Sequence, residues 1–191
     1  MGWALLLGVV LAVPLTMYFA QEHLIFHPQP MPDPTRAQIA ERAESHFIEG
    51  ADGTRLHAWH LKGSPLVIYF GGNAEEVSWM LGGAARGGSG SGWLLVDYRG
   101  YGSSAGEPSE AALTADATRW YDYAKEKLGA QRIIVFGRSL GSGVAVHVAA
   151  VRAIDGGVLV APFDSLTKFA RHHYPIWRAS CRGRELISVG A

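Results

Sequence analysis

The chain has 191 residues, 48% of them hydrophobic and 24 of them glycine, which suits one globular α/β domain with an apolar extra segment and argues against disorder. Lysine plus arginine equals aspartate plus glutamate at 17 each, so no net field and no basic cluster draws a polyanion, and no nucleic-acid partner is expected. Cys181, the single cysteine, closes no internal disulfide, and the eight histidines show no metal-ligand spacing: His57 and His60 are three apart in a strand pattern and point to opposite faces, so no metal is expected.

Residues 1–20 carry no charged side chain and are long enough to cross a bilayer as a helix, with Trp3 and Tyr18 either interfacial or simply lipid-facing. No Lys or Arg precedes this stretch and Tyr18-Phe19-Ala20 is a poor cleavage site, which favours a single-pass anchor over a cleaved signal peptide. A membrane location follows, on a side that the charge-poor flanks leave open. Pro28, Pro30, Pro32 and Pro34 then alternate within residues 21–44, and this stretch reads as a stiff, non-helical spacer.

The folded domain is expected over residues 45–175. Ser45 to Glu49 and Thr54 to Leu61 flank Gly50-Ala51-Asp52-Gly53, the turn signal of an antiparallel hairpin. Leu66 to Phe70 reads as a buried strand, Ala74 to Leu81 as a helix, and Gly82 to Gly92 as a glycine-rich loop. Trp93 to Val96 is another buried strand, and Ser109 caps a helix reaching Leu128. Ile133 to Phe136, a helix over Val144 to Ala150, the strand Val158 to Val160 and a helix over Leu166 to His173 continue the alternation. Such alternation implies a mostly parallel sheet covered on both faces, with function at the carboxyl ends of its strands.

Gly137-Arg138-Ser139-Leu140-Gly141 lies where a strand runs into a helix. A serine in that turn is held exposed by a tight backbone bend that tolerates no bulk two residues to either side, so Ser139 is the candidate nucleophile. Acyl transfer needs donors aimed at the developing oxyanion. The Leu140 N–H at the start of the helix supplies one, and the Gly71-Gly72-Asn73 turn supplies a second, from Asn73 or else from Gly72. His147 lies about 12 Å along the helix from Ser139, beyond the reach of its hydroxyl.

Four segments in order, Tyr69 to Ala74, Asp97 to Ser103, Phe136 to Gly143 and Ala161 to Leu166, resemble the α/β-hydrolase superfamily, and within it the membrane-anchored, serine-aminopeptidase-like branch. The resemblance spans about residues 45 to 173. It implies an α/β-hydrolase fold, an acyl-serine mechanism on a small-molecule ester or peptide-like substrate, no cofactor, and a Ser-Asp-His triad whose acid and base follow a seventh and an eighth strand. Fifty-two residues follow Ser139 and the text of 176–191 does not resemble what the family places there, so the sheet is expected to lack its last two strands and the enzyme to be crippled. Asp164 stands where some members carry the acid, and His172 and His173 are the remaining histidines for a makeshift base. Asp97 is expected to fix its own loop. A non-catalytic, membrane-tethered binding module is the alternative, and dinucleotide binding is disfavoured because no Gly-x-Gly-x-x-Gly follows the first strand.

Overall fold

The computed structural model describes residues 24–82 and 90–162, with single positions 12, 16 and 22 before them. In chain order the elements are α1 (Asp33–Ala40), β1 (Glu44–Glu49), β2 (Arg55–Leu61), β3 (Leu66–Phe70), a 3-10 turn (Val77–Trp79), β4 (Gly92–Val96), α2 (Glu110–Glu126), β5 (Ile133–Arg138), α3 (Leu140–Val151) and β6 (Gly156–Val160). Among the described residues six strands form one mixed sheet in the order β1-β2-β4-β3-β5-β6. The β1–β2 and β2–β4 pairs are antiparallel, and β4, β3, β5 and β6 run parallel.

Alternation along the central strands divides the core in two. Leu66, Ile68 and Phe70 of β3 face the side covered by α2 and α3, where they meet Trp120, Tyr121, Val144 and Val148. Tyr69 and Leu95 face the other side, against Met31, Ile39, Trp59 and Val77. Burial on both faces explains why β3 and β4 read as continuous apolar runs rather than alternating ones. The Ser109 hydroxyl accepts from the Ala112 N–H at 3.2 Å and caps α2 as expected.

Two expectations need correction. The proline-rich stretch is no free spacer where it is described, because it lies on the domain: Phe26 and Met31 are buried, Pro30 bridges Gly102, and Met31 N–H donates to the Gly102 carbonyl at 3.0 Å. It also turns helical from Asp33, with a proline in the first turn, where a missing N–H costs no helical hydrogen bond. The helix expected over Ala74 to Leu81 does not begin at Ala74, which takes φ 55; a 3-10 turn covers Val77–Trp79 and α-helical backbone follows at residues 80–82.

Among the described residues, no helix is long and apolar enough to cross a membrane. The anchor expected over 1–20 falls outside them apart from two positions, and so do the helix expected over Leu166 to His173 and the 176–191 tail.

Candidate active site

Strand β5 runs into α3 through Ser139, whose backbone sits at φ 50, ψ −115, a region that non-glycine residues rarely occupy. The neighbours make the turn possible only as glycines. A Cβ on Gly141 would stand 2.0 Å from the Phe70 carbonyl oxygen, and one on Gly137 would stand 2.3 Å from the Gly141 carbonyl oxygen. The strain is locked from both sides: Ser139 N–H donates to Val160 O at 2.9 Å, and the Ser142 N–H and hydroxyl both donate to Ser139 O, at 2.9 and 2.5 Å. The described non-glycine residues with positive φ are Ala74, Ser139 and Ala161, which follow β3, β5 and β6 at the same end of the sheet. Strain gathered at one edge marks a place where geometry is maintained against local preference.

The loop after β3 lies beside the serine, with a Cβ built on Gly72 falling 3.7 Å from Ser139 Cβ. Asn73 is fastened through its side chain. Its Oδ1 accepts from Tyr101 Oη at 2.7 Å and from the His27 and Ala74 N–H groups at 3.0 Å, while Nδ2 donates to Ile25 O at 2.5 Å. The amino-terminal segment thus helps to hold the loop after β3. The Gly72 N–H, an alternative donor on sequence grounds, instead donates to Glu75 Oε2 at 2.7 Å.

Glu75 and its partners escaped sequence reasoning. Glu75 is 8% exposed, and its Oε1 accepts from Tyr69 Oη at 2.5 Å and Trp79 Nε1 at 2.8 Å. Its Oε2 accepts from the Gly72 N–H and from Arg138 at 2.8 Å. Four donors on one buried carboxylate tie the loop after β3 to the residue immediately before Ser139. Burial, and then the hydrogen bond to the Glu75 carboxylate, push the Tyr69 hydroxyl far above its ordinary range, so it remains a donor. The only trace of this in the sequence is an acid three residues past Gly72 and an arginine inside the elbow, a pairing that spacing alone does not reveal.

Asp97 acts as expected on its own loop. Its Oδ2 accepts from His57 Nδ1 at 2.7 Å and from Ser103 N–H at 2.8 Å, and a Cβ on Gly102 would strike the carboxylate at 2.1 Å. His57 Nε2 bonds in turn to Ser45 Oγ at 2.9 Å. These are the residue types of a triad, but Ser45 stands in an edge strand with no helix amino terminus behind it, and both ring nitrogens of His57 are engaged away from Ser139. The bonds clamp β1, β2 and the loop after β4. Among the described residues no imidazole is hydrogen-bonded to Ser139; Asp164, His172 and His173 lie outside the described residues.

Residues 89–182 match the family model described as alpha/beta hydrolase fold. The uncharacterised protein Rv2307c of Mycobacterium tuberculosis is 36% identical over 175 residues, covering 87% of this chain and 62% of that one. The lysophosphatidylserine lipase ABHD12 of Danio rerio is 33% identical over 127 residues, covering 57% of this chain and 31% of the lipase. The chain therefore spans less than two thirds of the length of these relatives. Among solved structures, an α/β hydrolase from Vibrio vulnificus superposes with a TM-score of 0.65 at 23% identity, covering 84% of this chain and 62% of that one. The Pyrococcus furiosus esterase Pf2001 gives 0.60 at 21%, covering 78% and 61%. The likeness to these solved structures shows that the chain has the α/β-hydrolase fold, and over residues 89–182 its sequence is similar to the family of that name.

Proposed function

We propose that this chain is a serine hydrolase acting through an acyl-enzyme formed on Ser139. The strained backbone of Ser139 between two sterically obligatory glycines carries the reading, since a merely structural turn gains nothing from holding a non-glycine residue there. Ser139 Oγ attacks the acyl carbonyl carbon as its proton passes to a base. The Leu140 and Asn73 N–H groups hold the resulting oxyanion, the leaving group departs with the proton, and water then releases the acid. For the base and its orienting acid, the candidates the sequence leaves are His172, His173 and Asp164, a makeshift set in place of the family's triad. No cofactor enters this chemistry.

The likeness to proteins named lysophosphatidylserine lipases supports a monoacyl lipid ester as substrate, and with it the membrane-anchored branch of the superfamily. The uncharged stretch of residues 1–20 supports an anchor that would bring the site to such a substrate.

A fluorophosphonate probe tests the assignment on the full chain in detergent. The expected result is covalent labelling at Ser139 that is absent from Ser139→Ala. Equal labelling of that variant, or none of the parent chain, would overturn it.

A further inference from the structure

Far from the serine, on the hairpin edge of the sheet, three ligating side chains converge. Glu44 lies directly across from His60 in the β1–β2 register, and His46 lies two residues along on the same face of β1. Glu44 Oε2 stands 3.5 Å from His46 Nε2 and 3.7 Å from His60 Nδ1, and the three donor atoms lie within 4.8 Å of one another. Tetrahedral bonds of about 2.0–2.1 Å set neighbouring ligand atoms about 3.3–3.4 Å apart, so two of the three edges already fit a zinc-sized ion.

Hydrogen bonding points the same way. His46 Nε2 and His60 Nδ1 are both buried without a hydrogen-bond partner, and the His60 side chain is only 9% exposed. Buried polar atoms normally find partners, and two orphaned imidazole nitrogens facing one carboxylate oxygen call for a shared one. The other nitrogen of His46, Nδ1, lies 2.8 Å from Tyr123 Oη on α2. If Nδ1 donates there, Nε2 keeps its lone pair for a metal, the usual outer support of a ligating histidine. Lys62 occupies the opposite oxygen of Glu44, Oε1, at 2.6 Å and leaves Oε2 to the imidazoles. A groove of about 800 Å³ bordered by Ala43, Glu44, His46, His60, Leu61 and Lys62 opens the cluster to solvent, giving room for a water as fourth ligand.

We infer that Glu44, His46 and His60 form a binding site for a divalent transition-metal ion of the zinc class, joining β1 and β2 and, through Tyr123, α2. Strand β2 lies three places from β5 in the sheet, about 14 Å at strand spacing, so the ion would brace the fold and not touch the acyl chemistry. Spacing along β2 alone gave no hint of this set, because His60 finds its companions across the hairpin.

The full-length, untagged chain in detergent, stripped by a chelator, would be titrated with Zn²⁺ by calorimetry and with Co²⁺ by visible absorption. One equivalent should bind, with Co²⁺ bands of tetrahedral intensity and a rise in Tm. Glu44→Gln and His46→Gln should each weaken binding at least tenfold while keeping the parent far-UV spectrum. Tyr123→Phe, which removes only a positioning hydroxyl, should weaken it about tenfold. A His172→Gln/His173→Gln double variant should bind as the parent does. Absence of saturable binding, a weak octahedral Co²⁺ spectrum, or binding that survives Glu44→Gln and His46→Gln would overturn the assignment.

Discussion

Ser139 pays in backbone strain for the exposure of its hydroxyl. Replacing it with glycine removes both, so Ser139→Gly should raise stability by about 1 kcal/mol while abolishing probe labelling. Thermal melts of the two proteins side by side check this, and a fall in Tm would mean that the turn is relaxed. Glu75 is the opposite case, a residue whose charge is used by everything around it. Glu75→Gln keeps the shape but sets an amide N–H₂ against donors from Tyr69, Trp79, Gly72 and Arg138. Because Arg138 is 47% exposed and partly screened, the expected cost is about 1–3 kcal/mol and not the full penalty of a broken buried pair. Labelling of Ser139 should slow with it, since Gly72 then loses the bond that fixes the neighbouring Asn73. Urea titration and labelling kinetics read the two effects separately.

At the scale of elements, two junctions hold the site end of the sheet. The first is the contact of α3 with β3, where Gly141 meets the Phe70 carbonyl so closely that Gly141→Ala must push helix and strand apart. A loss of about 3 kcal/mol and a broadened melt are expected, and an unchanged Tm would contradict the packing described. The second is the fork of Arg99, which donates to Asp116 from Nε at 2.6 Å and from a terminal nitrogen at 3.0 Å, and to Asp52 at 2.5 Å. This ties the loop after β4 to α2 and to the hairpin turn. Hydrogen bonding to Arg99, then to the Thr54 backbone, holds the Asp52 carboxyl well below its ordinary 3.8. A carboxylate depressed on folding adds stability above its unfolded value and loses it as pH falls through the folded one. Tm should therefore decline as pH drops below about 4, and Asp52→Asn should flatten that part of the profile.

Across the whole molecule, the two flanks of the sheet differ. On one flank β1 is an edge strand, and its neighbour β2 is clamped by the Ser45–His57–Asp97 bonds. On the other flank, Val158, Leu159 and Val160 of β6 are each more than 40% exposed, and among the described residues no strand pairs with the outer side of β6.

What could be read from the residues alone was whatever depends on near neighbours in the chain. The apolar runs of β3, β4 and β5, the Ser109 cap, the hairpin turn and the elbow around Ser139 each follow from side chains within a few positions of one another. Only tertiary structure decided the rest, because it joins residues far apart in sequence. Glu75 meets Arg138 from 63 positions away, the amino-terminal segment reaches Asn73 and Tyr101, and His46 finds its support on α2. No local period encodes such meetings. They arise when β3 is laid between β4 and β5, and a proline-rich stretch that reads as a spacer then gains more by burying Phe26 and Met31 than by staying extended in water.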